Sequence, residues 1–91
     1  MNKLPALIQD YLQSQGKDET FRDKLYTVVV ELLMNDTATL YQALYRIDVR
    51  EEKVRNIFSD NPLAEIAAER LTDLIIERQK EKIEWRKKYS L

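Results

Sequence analysis

The scarcity of chain-breaking residues constrains this sequence most: in 91 residues it has one glycine, Gly16, and two prolines, Pro5 and Pro62. Glycine and proline are the residues that most oppose helix formation, whereas sheets and long loops usually need several of them at turns. Charged residues make up 34% of the chain and apolar residues 44%, a balance typical of helices with one buried and one solvated face. We therefore predict an all-α fold, a compact bundle of four or five helices, in a single domain over residues 1–91.

Apolar residues recur at helical spacing along most of the chain, with polar residues between them. The apolar stripes are Leu4, Leu7, Ile8, Tyr11 and Leu12, then Phe21, Leu25, Val28, Val29, Leu32 and Leu33, then Leu40, Leu44 and Ile47, then Val49, Val54, Ile57 and Phe58, and finally Leu63, Ile66, Ala67, Leu71, Leu74 and Ile75. We predict a left-handed stop at Gly16 and side-chain caps within residues 35–37. The last helix is predicted to have Asn61 as its cap and Pro62 at its first position.

Residues 25–34, LYTVVVELLM, form a nearly unbroken apolar run whose three β-branched valines would also suit a buried strand. We interpret the run as a helix, because the sequence contains no second strand candidate with which a strand could pair. A helix that is apolar on most sides is expected at the centre of the bundle.

Residues 43–58, ALYRIDVREEKVRNIF, allow two interpretations. Asp48 followed by Glu51 has the spacing of a reciprocal capping pair, which predicts a junction between two packed helices. The segment also resembles a helix-turn-helix, with Asp48 at the turn position where glycine is common and apolar residues on either side of it. Any two amphipathic helices joined by a short capped turn give a similar pattern, so we favour the structural junction.

The alternative function is a helix-turn-helix-like nucleic-acid-binding protein that uses residues 43–58 and the basic C-terminal stretch. Six cations would then contact nucleic acid: Arg50, Lys53, Arg55, Arg86, Lys87 and Lys88. Two adjacent carboxylates, Glu51 and Glu52, lie on the helix that would face the phosphates, where affinity depends on Lys and Arg. We therefore expect no nucleic-acid partner.

The composition of the chain changes after Ile76. Residues 1–76 carry nine basic and thirteen acidic side chains, a net charge of −4, whereas residues 77–91 carry six and three, a net charge of +3. We expect residues 76–91 to form the end of a longer, basic C-terminal helix that can project from the bundle. Its cations would suit phosphates, an acidic partner or an anionic membrane surface, but the three interleaved acids favour a solvated helix end.

Aromatic residues give the strongest indication of an interaction surface. Tyr41 and Tyr45 are one helical turn apart and offset from the apolar stripe, and Trp85 and Tyr89 have the same spacing near the C-terminus. Such residues are ordinary at the boundary of a core, but Tyr and Trp are also enriched at partner surfaces. We predict that these four residues bind a partner, either a second copy of the chain in a homodimer or another protein.

The sequence has no cysteine and no histidine, which removes thiolate and imidazole catalysis together with the usual ligands of zinc. Glu65, Glu69 and Asp73 line up on a helix, but a single row of acids is expected to face solvent rather than hold a cation. We predict a non-catalytic protein with no cofactor, no metal and no small-molecule substrate. Since we find no apolar signal segment and no membrane-spanning run, we expect it in the cytoplasm without membrane contact.

Overall fold

The computed structural model describes residues 3–60 and 63–89, and these contain five α-helices and no β-strand. The helices are α1 (Leu4–Gln13), α2 (Phe21–Asn35), α3 (Thr37–Arg46), α4 (Glu51–Asp60) and α5 (Ala64–Tyr89). This confirms the predicted all-α bundle, and residues 25–34 lie inside α2 as a helix. The predicted cap at Asn61 and helix start at Pro62 lie outside the described residues.

Helix α2 occupies the centre of the bundle, where it packs against α1, α3 and α5, while α4 packs against α5. Phe21, Leu25 and Val29 of α2 are fully enclosed, and they follow one another at intervals of four residues. Leu71 and Ile75 of α5 are equally enclosed in the same apolar core. The central position of α2 follows from its apolar surface, which needs neighbours on several sides to leave water.

The first helix ends in a left-handed turn that includes the predicted Gly16 and the residue before it, Gln15. Gln15 has φ +56 and its N–H bonds to the carbonyl of Leu12, while the N–H of Gly16 bonds to the carbonyl of Tyr11. This pair of bonds is a Schellman motif with Gln15, not glycine, in its left-handed position. Gly16 follows with φ +77, and a Cβ atom there would lie 3.3 Å from the Tyr11 hydroxyl oxygen and 3.4 Å from Ile83. Glycine thus lets the α1–α2 connection approach α5.

The break between α2 and α3 is made by Asp36, within the predicted cap segment. The carboxylate of Asp36 accepts a hydrogen bond from the Thr39 backbone N–H at 3.2 Å and another from the Thr39 hydroxyl at 2.6 Å. These two bonds hold the pKa of Asp36 below its ordinary value, because they favour the ionised carboxylate. The prediction of a side-chain cap here is confirmed, and the cap fixes where α3 begins.

Helix α5 has 26 residues, a length of about 39 Å, which accounts for most of the 44 Å long axis of the molecule. Its buried residues continue as far as Gln79 and Ile83, well past the change of composition at Ile76. Residues 84–89 are all exposed. The part of α5 that packs against the bundle therefore ends at Ile83. Within the described residues, no helix combines the length and apolarity that a membrane span requires.

Candidate docking face between helices α3 and α4

The junction between α3 and α4 is a second Schellman motif, and it corrects the predicted role of Asp48. Asp48 has φ +61, its N–H bonds to the carbonyl of Tyr45, and the N–H of Val49 bonds to the carbonyl of Leu44. Helix α4 begins at Glu51. Asp48 therefore ends α3 and does not cap α4, so the predicted capping pair with Glu51 is wrong. Aspartate tolerates the left-handed conformation better than most side chains, which is why the motif forms without glycine.

The junction is held against α5 by one lysine. The ammonium group of Lys82 lies 3.4 Å from the Asp48 carboxylate and donates a hydrogen bond of 3.1 Å to the carbonyl of Ile47. The Lys82 side chain is 25% exposed and that of Asp48 66%, so the hydrogen bond to Ile47 is shielded from water more than the ion pair is. The hydrogen bond joins residues 35 positions apart, so it ties the α3–α4 junction to α5.

Helix α3 divides into a buried face and an aromatic face. Leu40, Ala43 and Leu44 are buried, whereas Tyr41 is 48% and Tyr45 84% exposed. A tyrosine that is more than four-fifths exposed gains little from burial in its own fold. The ring of Tyr45 is thus available to another surface.

A groove lies between the aromatic face of α3 and the adjacent face of α4, with a volume of about 690 Å³. The α3–α4 groove is lined by Tyr41, Leu44, Tyr45, Val49, Glu51, Val54, Arg55, Phe58 and Ser59. Its floor is formed by buried aliphatic side chains, Leu44, Val49 and Val54. The rings of Tyr41 on α3 and Phe58 on α4 lie with their centroids 6.2 Å apart at an angle of 54°. The groove is therefore an apolar depression built on the core, with aromatic rings at its edges.

Two opposite charges lie at the edge of this groove. Glu51 and Arg55 are one helical turn apart on α4, and both line the groove. Neither side chain forms an ion pair with any of the described residues. The groove thus offers one free acid and one free base beside an apolar floor.

No family model, curated protein or solved structure matches this chain.

The second predicted aromatic pair lies elsewhere, at the exposed end of α5. The rings of Trp85 and Tyr89 are 5.1 Å apart, and the ammonium group of Lys88 lies 5.7 Å from the centre of the Tyr89 ring. Trp85 is 64% and Tyr89 60% exposed. Trp85 lines an open depression between α5 and the α1–α2 connection, not the α3–α4 groove. The four residues predicted to bind a partner thus form two pairs, each on a separate surface.

The cations of the alternative prediction are divided between surfaces. Arg50 and Lys53 line a narrow cleft that also contains Glu77 and Glu81 of α5, whereas Arg55 lines the α3–α4 groove. The remaining three, Arg86, Lys87 and Lys88, lie on the exposed end of α5. A basic strip that includes all six cations is not formed, because α4 presents its cations in two directions.

The row of acids on α5 faces solvent, as expected from its spacing. Glu65 and Glu69 are exposed, and the carboxylate of Asp73 is 2.9 Å from the guanidinium of Arg22 on α2. Among the described residues, no cluster of acids has an arrangement suited to a metal ion.

Two features of the structure are not among the sequence predictions. Phe58 was grouped with the buried stripe of α4, but it is only partly buried and forms a wall of the groove. Its spacing of four residues from Val54 could have placed it on that side. Gln79 was not singled out, yet it is fully buried, and neither amide atom has a hydrogen-bond partner among the described residues. Its spacing is the signal that could have found it, since Leu71, Ile75, Gln79 and Ile83 follow one another at intervals of four residues on one face of α5.

Proposed function

We propose that this chain is a non-catalytic protein-interaction module and that the α3–α4 groove is its docking face. The observation that carries the proposal is the combination of a strongly exposed ring, Tyr45, with a buried aliphatic floor directly beside it. Docking grooves for helices and short segments have this construction, in which an apolar depression accepts an anchor side chain and aromatic residues supply much of the contact.

The chemistry of the chain supports the non-catalytic part of this proposal. Without cysteine and histidine, the remaining candidates for acid–base catalysis are carboxylates, lysines and tyrosines. In the α3–α4 groove the only carboxylate among the lining residues is Glu51, and it lies beside Arg55 rather than a second acid. A single exposed carboxylate does not make the facing pair that hydrolysis of a glycoside requires.

Photocrosslinking in the cell tests the proposal directly. Tyr45 is replaced by p-benzoylphenylalanine, which keeps an aromatic ring at the edge of the groove, and Glu69 is replaced in a control chain. Glu69 is also exposed on a helix but lines none of the depressions described above. We expect irradiation to give a covalent adduct with a protein from position 45 and none from position 69. Adducts from neither position, or equal adducts from both, would contradict a docking face at the groove.

One observation favours the alternative, a helix-turn-helix-like nucleic-acid binder. Asp48 has φ +61, the conformation for which turns between such helices favour glycine. The division of the cations of α4 between two surfaces argues against it. Titration of duplex DNA at low salt distinguishes the two functions: we expect no binding. Binding that weakens steeply with salt and is lost when Arg50, Lys53 and Arg55 are changed to alanine would favour the nucleic-acid function.

A further inference from the structure

We propose that the occupant of the α3–α4 groove is a second copy of this chain, in a two-fold symmetric dimer. In this dimer the ring of Tyr45 from each protomer enters the groove of the other, and Glu51 of each protomer pairs with the partner's Arg55. This inference rests on the proposed function, since it names the partner of the same groove.

The first argument is that one face carries both a projecting group and a cavity to receive it. In a two-fold dimer the same patch serves both subunits, so that residue i contacts residue j and residue j contacts residue i. A surface can form such a dimer only if it is complementary to itself. Tyr45 is 84% exposed at the edge of a groove whose floor is the buried Leu44, Val49 and Val54. The α3–α4 face meets this condition.

The second argument is the charge pattern of α4. Glu51 and Arg55 are separated by one helical turn and have no ion-pair partner among the described residues. If two α4 helices cross antiparallel through the face that carries Glu51 and Arg55, with the two-fold axis midway between these two residues, position 51 of one helix lies opposite position 55 of the other. Each protomer then contributes one acid and one base to two equivalent ion pairs. A parallel crossing would place like charges opposite each other, so the pattern selects the antiparallel arrangement.

The exposed end of α5 is a weaker candidate for the occupant. Its last turn carries Arg86, Lys87 and Lys88, whereas the α3–α4 groove contains one acid and one base among its lining residues. A groove with no net charge gives a basic helix no electrostatic advantage over any other segment. The self-complementary charges of α4 are instead matched by another α4.

The size of the face sets the expected strength of the dimer. Helices α3 and α4 have ten residues each, so each is about 15 Å long, and together they cover a face about 20 Å wide. Stable complexes usually bury about 800 Å² on each partner, which would be about an eighth of the 6621 Å² exposed by this chain. A face of about 15 Å by 20 Å covers about 300 Å², well below that size. We therefore expect a dimer that dissociates on dilution.

The experiment is a charge exchange across the two-fold axis, measured by sedimentation equilibrium over a concentration series. Glu51→Arg leaves two cations facing each other at each end of the interface, and Arg55→Glu leaves two anions. We expect each single variant to dimerise at least about tenfold more weakly than the unchanged chain, because like charges face each other twice. An equimolar mixture of the two variants restores opposite pairs at both ends and should form a heterodimer. The double variant Glu51→Arg, Arg55→Glu should recover the homodimer.

The mixture also serves as the control for folding, because two misfolded chains would not regain the mass of a dimer on mixing. Circular dichroism of each single variant should show the helical content of the unchanged chain. A chain that stays monomeric at every concentration overturns the inference. A dimer whose dissociation constant is the same in both single variants as in the unchanged chain overturns it as well, since the dimer contact must then lie elsewhere.

The proposed function can survive the failure of this inference, and the crosslinking experiment separates the two outcomes. An adduct at position 45 with twice the mass of the chain supports the second copy. An adduct with a different protein, together with a monomeric purified chain, retains the docking face and rejects the dimer. The absence of any adduct at position 45 rejects the proposed function itself.

Discussion

The two exposed aromatic pairs of this protein have the same local pattern and different surroundings. Tyr41 and Tyr45 on α3, like Trp85 and Tyr89 on α5, are one helical turn apart, and at least one ring of each pair is more than half exposed. The pair on α3 lies beside a second helix, which supplies a buried aliphatic floor. The pair on α5 lies beyond Ile83, the last buried residue of that helix, and Trp85 lines an open depression in which most lining side chains are charged. The two pairs are therefore alike in exposure and differ in what lies beside them, which is a floor of buried aliphatic side chains only for the pair on α3.

The two regions also differ in charge. The α3–α4 groove holds one acid and one base that are free to pair with another molecule, while the last turn of α5 holds three cations, of which Lys87 is 4.0 Å from Glu84. Attraction to the end of α5 would be long-ranged, sensitive to salt and open to many anionic partners. Contact at the groove would depend on shape and on two specific charges. The two regions therefore differ in charge pattern, with one acid and one base at the groove and a cluster of cations at the end of α5.

The largest expected difference between the two regions is in their contribution to stability. Leu44 is buried in the core and in the groove floor, so Leu44→Ala should lower the free energy of unfolding by about 2–5 kcal/mol. Trp85→Ala, the matched change at the end of α5, removes a larger side chain but should cost less than about 0.5 kcal/mol, because most of that side chain is exposed. Urea denaturation of both variants measures the difference. Equal losses in the free energy of unfolding would mean that Trp85 is packed as firmly as Leu44 in the groove floor.

A smaller effect is expected from the contact that holds the junction of α3 and α4 on α5. Lys82→Met keeps most of the length of the side chain but removes the hydrogen bond to Ile47 and the ion pair with Asp48. We expect a loss of about 1 kcal/mol in the free energy of unfolding and faster amide exchange at Val49. Lys80→Met is the control, since Lys80 is exposed and has no ion-pair partner among the described residues. Identical behaviour of the two variants would show that the junction needs no support from α5.

A pH-dependent effect is expected at the start of α3, which forms one wall of the groove. The hydrogen bonds from Thr39 lower the pKa of Asp36 in the folded chain, so its carboxylate stabilises the fold at pH values above the ordinary pKa that it has in the unfolded chain. This stabilisation is lost as the pH falls through the lower folded value. Asp36→Ala should therefore reduce the Tm at pH 7 but have little effect at about pH 2. In Glu69→Ala, the control, the Tm should change little at pH 7. A Tm difference for Asp36→Ala that is the same at both pH values would contradict a role for the carboxylate.

The features that could be predicted from the sequence are those set by residues close together in the chain. Helical spacing and the scarcity of glycine and proline determine the fold class, and the cap at Asp36 involves a residue only three positions away. The same spacing separates Tyr41 and Tyr45 from the buried stripe of α3. These features depend on local geometry, which a single sequence contains.

The features that could not be predicted depend on contacts between distant residues. Asp48 is a residue type that often caps the start of a helix, but its backbone adopts the left-handed conformation of a turn. Its carboxylate faces Lys82, which is 34 positions later in the chain. The sequence does not indicate that α5 packs against the bundle as far as Ile83, because the buried Gln79 interrupts the apolar pattern. The groove itself arises from the placement of α4 beside α3, which no local pattern specifies.

The measurement that tests the central claim most directly is the molar mass by light scattering, across a concentration series, for the unchanged chain, Tyr45→Ala and Trp85→Ala. Both variants remove one exposed ring, and neither is expected to change the stability of the fold much. The account predicts that the unchanged chain and Trp85→Ala approach twice the monomer mass of 10.9 kDa as concentration rises, while Tyr45→Ala stays at the monomer mass. A monomer at every concentration, or a dimer that is lost in Trp85→Ala and retained in Tyr45→Ala, would contradict the assignment of the α3–α4 groove as the site of self-association.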